Sequence, residues 1–350
     1  MTAEAPVVEA EGAGSSGRRV LLEARHIVQE FAVRAQGGIK GGVVNAVSDV
    51  SFDVMAGETL GLVGETGAGK STLANSILMT PRPISGEVRL DGTDLMTLNR
   101  RELRLVRRNL QMVYQDAFSS VDPRWRVEEI VEEPLLAHRT GNADQRRRRV
   151  NEVLDLVGLE PALFGSRRPR QLSGGQCQRV AIARALALSP ALIVCDEAVS
   201  SLDVLIQAQI LSLLEDLRRE FQLSYLFVAH DLALLKQVSD RVAVMYLGRF
   251  CELGPAEAIY SRPLHPYTAA LLSSIPSPDP NVPIARVNEQ ETDDIPSPID
   301  PPSGCRYRTR CPRAAARCAV ETPELRPLAG REVACHFPLL ETPLPSVDAP

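Results

Sequence analysis

Two stretches near the start of the chain, Val20 to Val33 and Val43 to Val54, are rich in Val, Leu, Ile and Phe with partial apolar alternation, and a Gly-rich interruption from Gly37 to Gly42 separates them. Alternation puts successive side chains on opposite faces of an extended chain, so this pattern predicts two strands joined by a loop. The apolar run Thr59 to Val63 ends in glycines and leads into Ser71 to Leu78 at helical spacing, which predicts a strand, a glycine loop and a helix. From Leu98 to about Leu172 the pattern turns to charged, Arg-rich segments such as Arg101 to Arg108 and Asn142 to Val157, broken by Pro123 and Pro134. That stretch predicts a helical insertion. Beyond it, Ala191 to Cys195 and Tyr225 to Val228 read as buried strands and Val204 to Arg219 as an amphipathic helix. Interrupted strand and helix alternation predicts an α/β fold, a mainly parallel sheet flanked by helices.

The ends of the chain lack such periodicity. Met1 to Gly17 is rich in Ala, Glu, Gly and Ser without a basic start or an apolar run, and is read as a disordered cytoplasmic leader covering residues 1–19. Pro276 to Pro302 carries eight prolines and reads as a partly extended linker. The expected organisation is therefore a nucleotide-sized core at 20–254 with its helical subdomain at about 98–172, a helical extension at 255–275, the linker at 276–302 and a cysteine-bearing segment at 303–350.

Composition narrows the function classes. A chain of 350 residues, 44% hydrophobic and 24% charged with a net charge of −5, is ordinary globular protein, so free DNA or RNA is not an expected partner. The basic run Arg146 to Arg149 is read as a solvated helix face. No apolar stretch approaches the roughly 18 residues of a membrane-spanning helix. Of seven cysteines, Cys177, Cys195 and Cys251 are scattered, while Cys305, Cys311, Cys318 and Cys335 crowd the last fifth. In a cytosolic protein that crowding points to metal before disulfides.

Gly64-Glu65-Thr66-Gly67-Ala68-Gly69-Lys70-Ser71-Thr72 fits the phosphate-loop pattern G-x-x-x-x-G-K-[ST] and lies between a predicted strand and a predicted helix. Small residues let backbone N–H groups approach phosphate oxygens, and a helix N-terminus adds partial positive charge. Lys70 would reach the terminal phosphates and Ser71 a magnesium ion. The strand Ala191 to Cys195 ends in Asp196 and Glu197, whose side chains point oppositely and so can take different tasks. Asp196 would support the metal and Glu197 would act as general base on the attacking water. His230 follows the strand Tyr225 to Ala229, at the sheet edge where ligands bind in such folds; a structural role is the competing reading.

Gln171-Leu172-Ser173-Gly174-Gly175-Gln176 resembles the signature segment of the ABC ATPases. The resemblance runs from about Val20 to Gly254 and implies a P-loop NTPase core with a mainly parallel sheet, an antiparallel β subdomain and a helical insertion, followed here by a C-terminal Cys-cluster extension. It also implies that Ser173, Gly174, Gly175 and Gln176 cap the ATP held by an opposing ATPase subunit, a copy of this chain or a paralogue. Gln115 is similar to the family's magnesium-sensing glutamine, Asp203 in Ser200-Ser201-Leu202-Asp203 to the acid of the loop that crosses to the partner, and Phe31 to the aromatic that stacks on adenine. Ala198 stands where the family usually has proline, and Cys177 where a polar residue is usual. Neither change removes a functional group. A soluble ABC protein acting on DNA or the ribosome would usually show tandem copies or long coiled coils, and a non-catalytic partner would usually lack the glutamate at position 197.

Ser261-Arg262-Pro263-Leu264-His265-Pro266-Tyr267-Thr268 resembles the segment that marks the oligopeptide and dipeptide branch of ABC importers, a branch that includes nickel importers. The resemblance implies an ATPase at the cytoplasmic face of the membrane, working with two transmembrane permease subunits and an extracytoplasmic substrate-binding protein. The gaps of five, six and sixteen residues between the last four cysteines are looser than the short pairs of zinc modules. Tails of this branch imply a 4Fe-4S cluster on Cys305, Cys311, Cys318 and Cys335, with zinc or free thiols as alternatives and His336 as a weaker ligand.

Overall fold

The computed structural model describes residues 19–33, 42–200, 202–275 and 296–340. The expected leader, most of the Gly-rich interruption and most of the Pro-rich linker lie outside the described residues. In chain order the strands are β1 (Val20–Val33), β2 (Gly42–Met55), β3 (Thr59–Val63), β4 (Ser85–Leu90), β5 (Thr93–Asp94), β6 (Leu110–Val113), β7 (Leu192–Asp196), β8 (Ser224–Ala229), β9 (Arg241–Tyr246), β10 (Arg249–Pro255), β11 (Arg326–Leu328) and β12 (Arg331–Val333). The helices are α1 (Lys70–Ile77), α2 (Arg100–Val106), α3 (Val127–Ala137), α4 (Ala143–Leu156), α5 (Pro161–Phe164), α6 (Gly174–Leu186), α7 (Val204–Phe221), α8 (Leu232–Val238), α9 (Ala256–Ser261), α10 (Pro266–Ser273) and α11 (Ala316–Val320).

The strands form two sheets, an antiparallel one in the order β2-β1-β4-β5 and an eight-stranded one in the order β11-β12-β10-β9-β3-β8-β7-β6. Within the larger sheet, β9, β3, β8, β7 and β6 run parallel, whereas β10 and β12 add antiparallel strands at the edge. Every residue of β3 and β8 is buried, as expected of parallel strands covered on both faces. The pleat divides their neighbours: Ile193 and Cys195 of β7 join one apolar cluster with α3, α4, α6 and α7, while Leu192 and Val194 join a second with β1, β2 and α1. Both faces of the sheet are thereby closed, and its C-terminal edge is left to carry chemistry.

The helical insertion starts later than the sequence pattern predicts. Leu110–Val113 pairs in parallel with Leu192–Cys195 and is a core strand. At four residues directly after an Arg-rich helix, it is too short to register as a period of its own. The basic run is the expected solvated face only at Arg147 and Arg148, which are exposed. Arg149 donates to the carbonyls of Leu186 and Ala187 and so caps the end of α6, and Arg146 pairs with Glu132 on α3.

The C-terminal segment is stitched into the core. Glu252 and Leu253 of β10 pair with Val333 and Glu332 of β12. Glu252 is fully buried, and its carboxylate accepts from Leu264 N at 3.0 Å, His265 N at 2.9 Å and Arg331 Nη1 at 3.1 Å. A buried carboxylate is tolerated only when paired and hydrogen-bonded in this way. His265 then caps α10, its Nδ1 accepting from Tyr267 N at 3.0 Å. Burial lowers the His265 pKa to about 3, so the ring is a neutral cap.

Candidate functional site

The glycine loop follows β3 directly, and α1 begins at Lys70. Gly69 has φ 102°, and a Cβ there would lie 2.0 Å from the Ala46 carbonyl oxygen of β2, so both conformation and space demand glycine. Thr66 and Gly67 are exposed at the crest, Ala68 is buried with its carbonyl accepting from Gly248 N at 2.8 Å, and Thr72 is half-buried in α1. Lys70 is buried, and Nζ donates to the carbonyls of Gly64 at 2.8 Å and Glu65 at 3.1 Å. Burial lowers its pKa, while the carboxylates of Glu197, Asp196 and Glu65 act to raise it. The helix start, the loop amides and this ammonium make an anion cradle.

Ser71 Oγ donates to Asp196 Oδ1 at 2.9 Å, bringing two hard oxygen ligands together beside Lys70. Burial pushes the Asp196 carboxyl above its ordinary value, and the Ser71 hydrogen bond opposes that shift. Glu197 sits at φ 49°, a sparsely populated conformation for a non-glycine residue. Its N–H donates to Val228 O at 2.9 Å and its carbonyl accepts from Ser200 Oγ at 3.0 Å, which holds the turn. Its side chain is thereby aimed past the strand end, 3.6 Å from His230 Nδ1. Gln115, just beyond β6, donates from Nε2 to Ser200 Oγ at 3.4 Å. The three parallel strands β6, β7 and β8 thus deliver Gln115, the acid pair and His230 to one sheet edge.

Other predicted residues lie elsewhere in the fold. Ser173 N-caps α6, with Gln176 N donating to Ser173 Oγ at 3.2 Å and Ser173 N donating to Gln176 Oε1 at 3.0 Å. A Cβ on Gly175 would lie 2.6 Å from Ile206 Cγ2, and one on Gly174 would lie 3.3 Å from Leu202 Cδ2, so both glycines admit α7 and the turn before it. Asp203 N-caps α7, accepting from Ile206 N at 3.0 Å. Phe31 stands opposite Val44 on the antiparallel sheet and is 41% exposed, so its ring is not a core side chain. Cys177 and Ala198 are both buried, Cys177 within the α6 core.

Two residues that sequence reasoning missed touch the loop. Tyr267 Oη accepts from Glu65 N at 3.0 Å, and Arg310 Nη1 donates to both Glu65 oxygens at 3.0 and 2.8 Å. No local pattern announces contacts made across 202 and 245 residues of chain.

The cysteine cluster expected in the tail is not shown. Among the described residues no group of three or more His, Cys, Asp or Glu side chains stands in metal-holding geometry. Cys305 and Cys311 pack instead against the apolar cluster under α10. The four cysteines are nonetheless neighbours. Cys305 N donates to Cys318 O at 2.8 Å. The Cys335 thiol is pushed up to about 12 by burial and then by Cys311, Cys305 and Cys318, and Cys311 to about 11 by burial, with Cys305 and Cys318 adding to it.

The order of the sheet and the loop at its edge define a P-loop ATPase fold. A solved dimeric ATP-binding cassette in a post-hydrolysis state, bound to ADP and Pi, superposes with a TM-score of 0.59 at 30% identity, covering 67% of this chain and 99% of that one. The ABC transporter family matches residues 47–200, and the C-terminal region of oligopeptide/dipeptide transporters matches residues 251–318. The oligopeptide transport ATP-binding protein OppF of Escherichia coli is 45% identical over 331 residues, 92% of this chain and 97% of that one. A probable peptide ABC transporter ATP-binding protein of Sinorhizobium fredii is 48% identical over 319 residues, 90% of this chain and 89% of that one. The chain belongs to the ABC transporter ATP-binding proteins, in their oligopeptide/dipeptide branch.

Proposed function

We infer that this chain is the ATP-hydrolysing subunit of an ABC importer for di- or oligopeptides. The observation that carries the reading is the convergence of Lys70, Ser71, Asp196 and Glu197 at one sheet edge in a chain whose tail matches the peptide branch. Lys70 and the loop amides take the phosphates, with Phe31 against the base. Ser71 and Asp196, with Gln115, would hold magnesium, whose charge offsets that of the phosphates when bound. Glu197 takes a proton from the attacking water, and His230 donates a hydrogen bond to the transferred phosphate. Ser173, Gly174, Gly175 and Gln176 of one subunit close the site of a second ATPase subunit, with Asp203 at the crossing.

No described helix is long and apolar enough to cross a membrane. On this reading the chain works with two transmembrane permease subunits, which it binds at the cytoplasmic face, and with an extracytoplasmic protein that delivers cargo. Deleting the chain should reduce uptake of a radiolabelled tripeptide to background, and re-expression should restore it. Normal peptide uptake with loss of nickel uptake alone would move the cargo to the branch's metal complexes.

As a finer reading, Cys305, Cys311, Cys318 and Cys335 hold a 4Fe-4S cluster, supported by their gathering in one partly buried neighbourhood. Anaerobically purified full-length protein should then be brown, and Cys311→Ser should remove the colour. Colourless protein with one equivalent of zinc would reject it.

A further inference from the structure

Glu65 is the acid of the glycine loop, and the far end of the chain grips it twice. Arg310 Nη1 spans both carboxylate oxygens, with the two side chains only 11% and 23% exposed, so water screens the pair far less than it screens a surface pair. The guanidinium is placed by the rings of Tyr246 and Tyr307, each 5.9 Å from Cζ. Those rings pack on Tyr267 with centroids 4.7 and 5.2 Å away, and Tyr267 Oη takes the Glu65 amide. Strand β9, helix α10 and the tail each contribute a tyrosine to this support.

A carboxylate in a cradle for a polyanion works against the cradle, since like charges close together repel. The Glu65 charge also acts on Lys70, the loop's own cation. We propose that Arg310 is a positioning residue of the nucleotide site: it neutralises Glu65 and keeps that carboxylate engaged with the tail, so that the loop meets the triphosphate with net positive potential. The C-terminal segment, on this account, is a component of ATP affinity. The proposal rests on the loop holding phosphates as inferred above.

The test is a double-mutant cycle in the full-length chain assembled with its transporter, reading KM and kcat for Mg-ATP. Arg310→Met keeps the stem and removes the charge; it should raise KM about five- to tenfold with kcat within about twofold. Made in a Glu65→Gln background, the same substitution should raise KM by less than about twofold, because no charge is left to neutralise. Arg310→Lys should recover most of the affinity. An equal KM increment in both backgrounds, an unchanged KM, or a fall in kcat alone would overturn the proposal. If Arg310→Met does not assemble, Arg310→Gln carries the same comparison, with Arg310→Lys as the charge-keeping control. Failure of the unaltered chain to bind Mg-ATP in calorimetry would instead remove the phosphate-loop reading itself.

Discussion

Glu197→Gln should lower steady-state ATP turnover of the assembled transporter by about two to three orders of magnitude while leaving Mg-ATP binding within about twofold. The amide keeps the size of the carboxylate and its place above Val228, where the Glu197 N–H is fixed at 2.9 Å. What it loses is the capacity to accept the proton of the attacking water. The backbone at φ 49° turns the chain directly after β7, so the side chain leaves the strand at the edge that carries Asp196 and His230. The two subunits should accumulate as a closed, ATP-loaded pair on size-exclusion chromatography. Turnover near that of the unaltered protein would remove Glu197 from the chemistry.

Ser173→Asp should abolish turnover to a similar degree, by at least about a hundredfold, for an electrostatic reason. Aspartate is as good an N-cap as serine, so the start of α6 should survive the substitution. The added carboxylate would face the terminal phosphate of the nucleotide held by the other subunit and oppose closure. Binding to the isolated subunit, measured by calorimetry with Mg-ATP, should be unaffected because Ser173 belongs to α6 and not to its own loop. Normal turnover by Ser173→Asp in the assembled complex would mean that this helix start does not complete a neighbour's site.

How legible this was in the sequence depended on the range of the interactions. Lys70, Ser71 and the glycines are read from nine consecutive residues because the loop's chemistry is local. The acid pair was equally plain, since β7 is an uninterrupted apolar run that ends in two carboxylates. Strand β6 escaped because its apolar character spans four residues and its partner lies some eighty residues on. Arg149 was mistaken for a solvated charge because its acceptors are carbonyls of another helix, invisible to any charge pattern. Tyr267 was seen only as part of a family segment, and Arg310 was not seen at all. Both act on Glu65 through tertiary contacts that periodicity does not encode. The cysteine segment was expected as a separate appendage, yet its strands β12 and β11 extend the main sheet beyond β10.

That edge limits how the gene can be cut and recombined. Glu252 depends on Arg331 from one direction and on the amides of Leu264 and His265 from the other. A chain stopped after α10 would strand an anion inside the protein, and a tail borrowed from a paralogue would have to bring a matching cation at the same depth. The final third of the sequence can therefore be swapped among relatives only together with β10, so the natural seam for building hybrids lies upstream of Arg249, within the ATPase body.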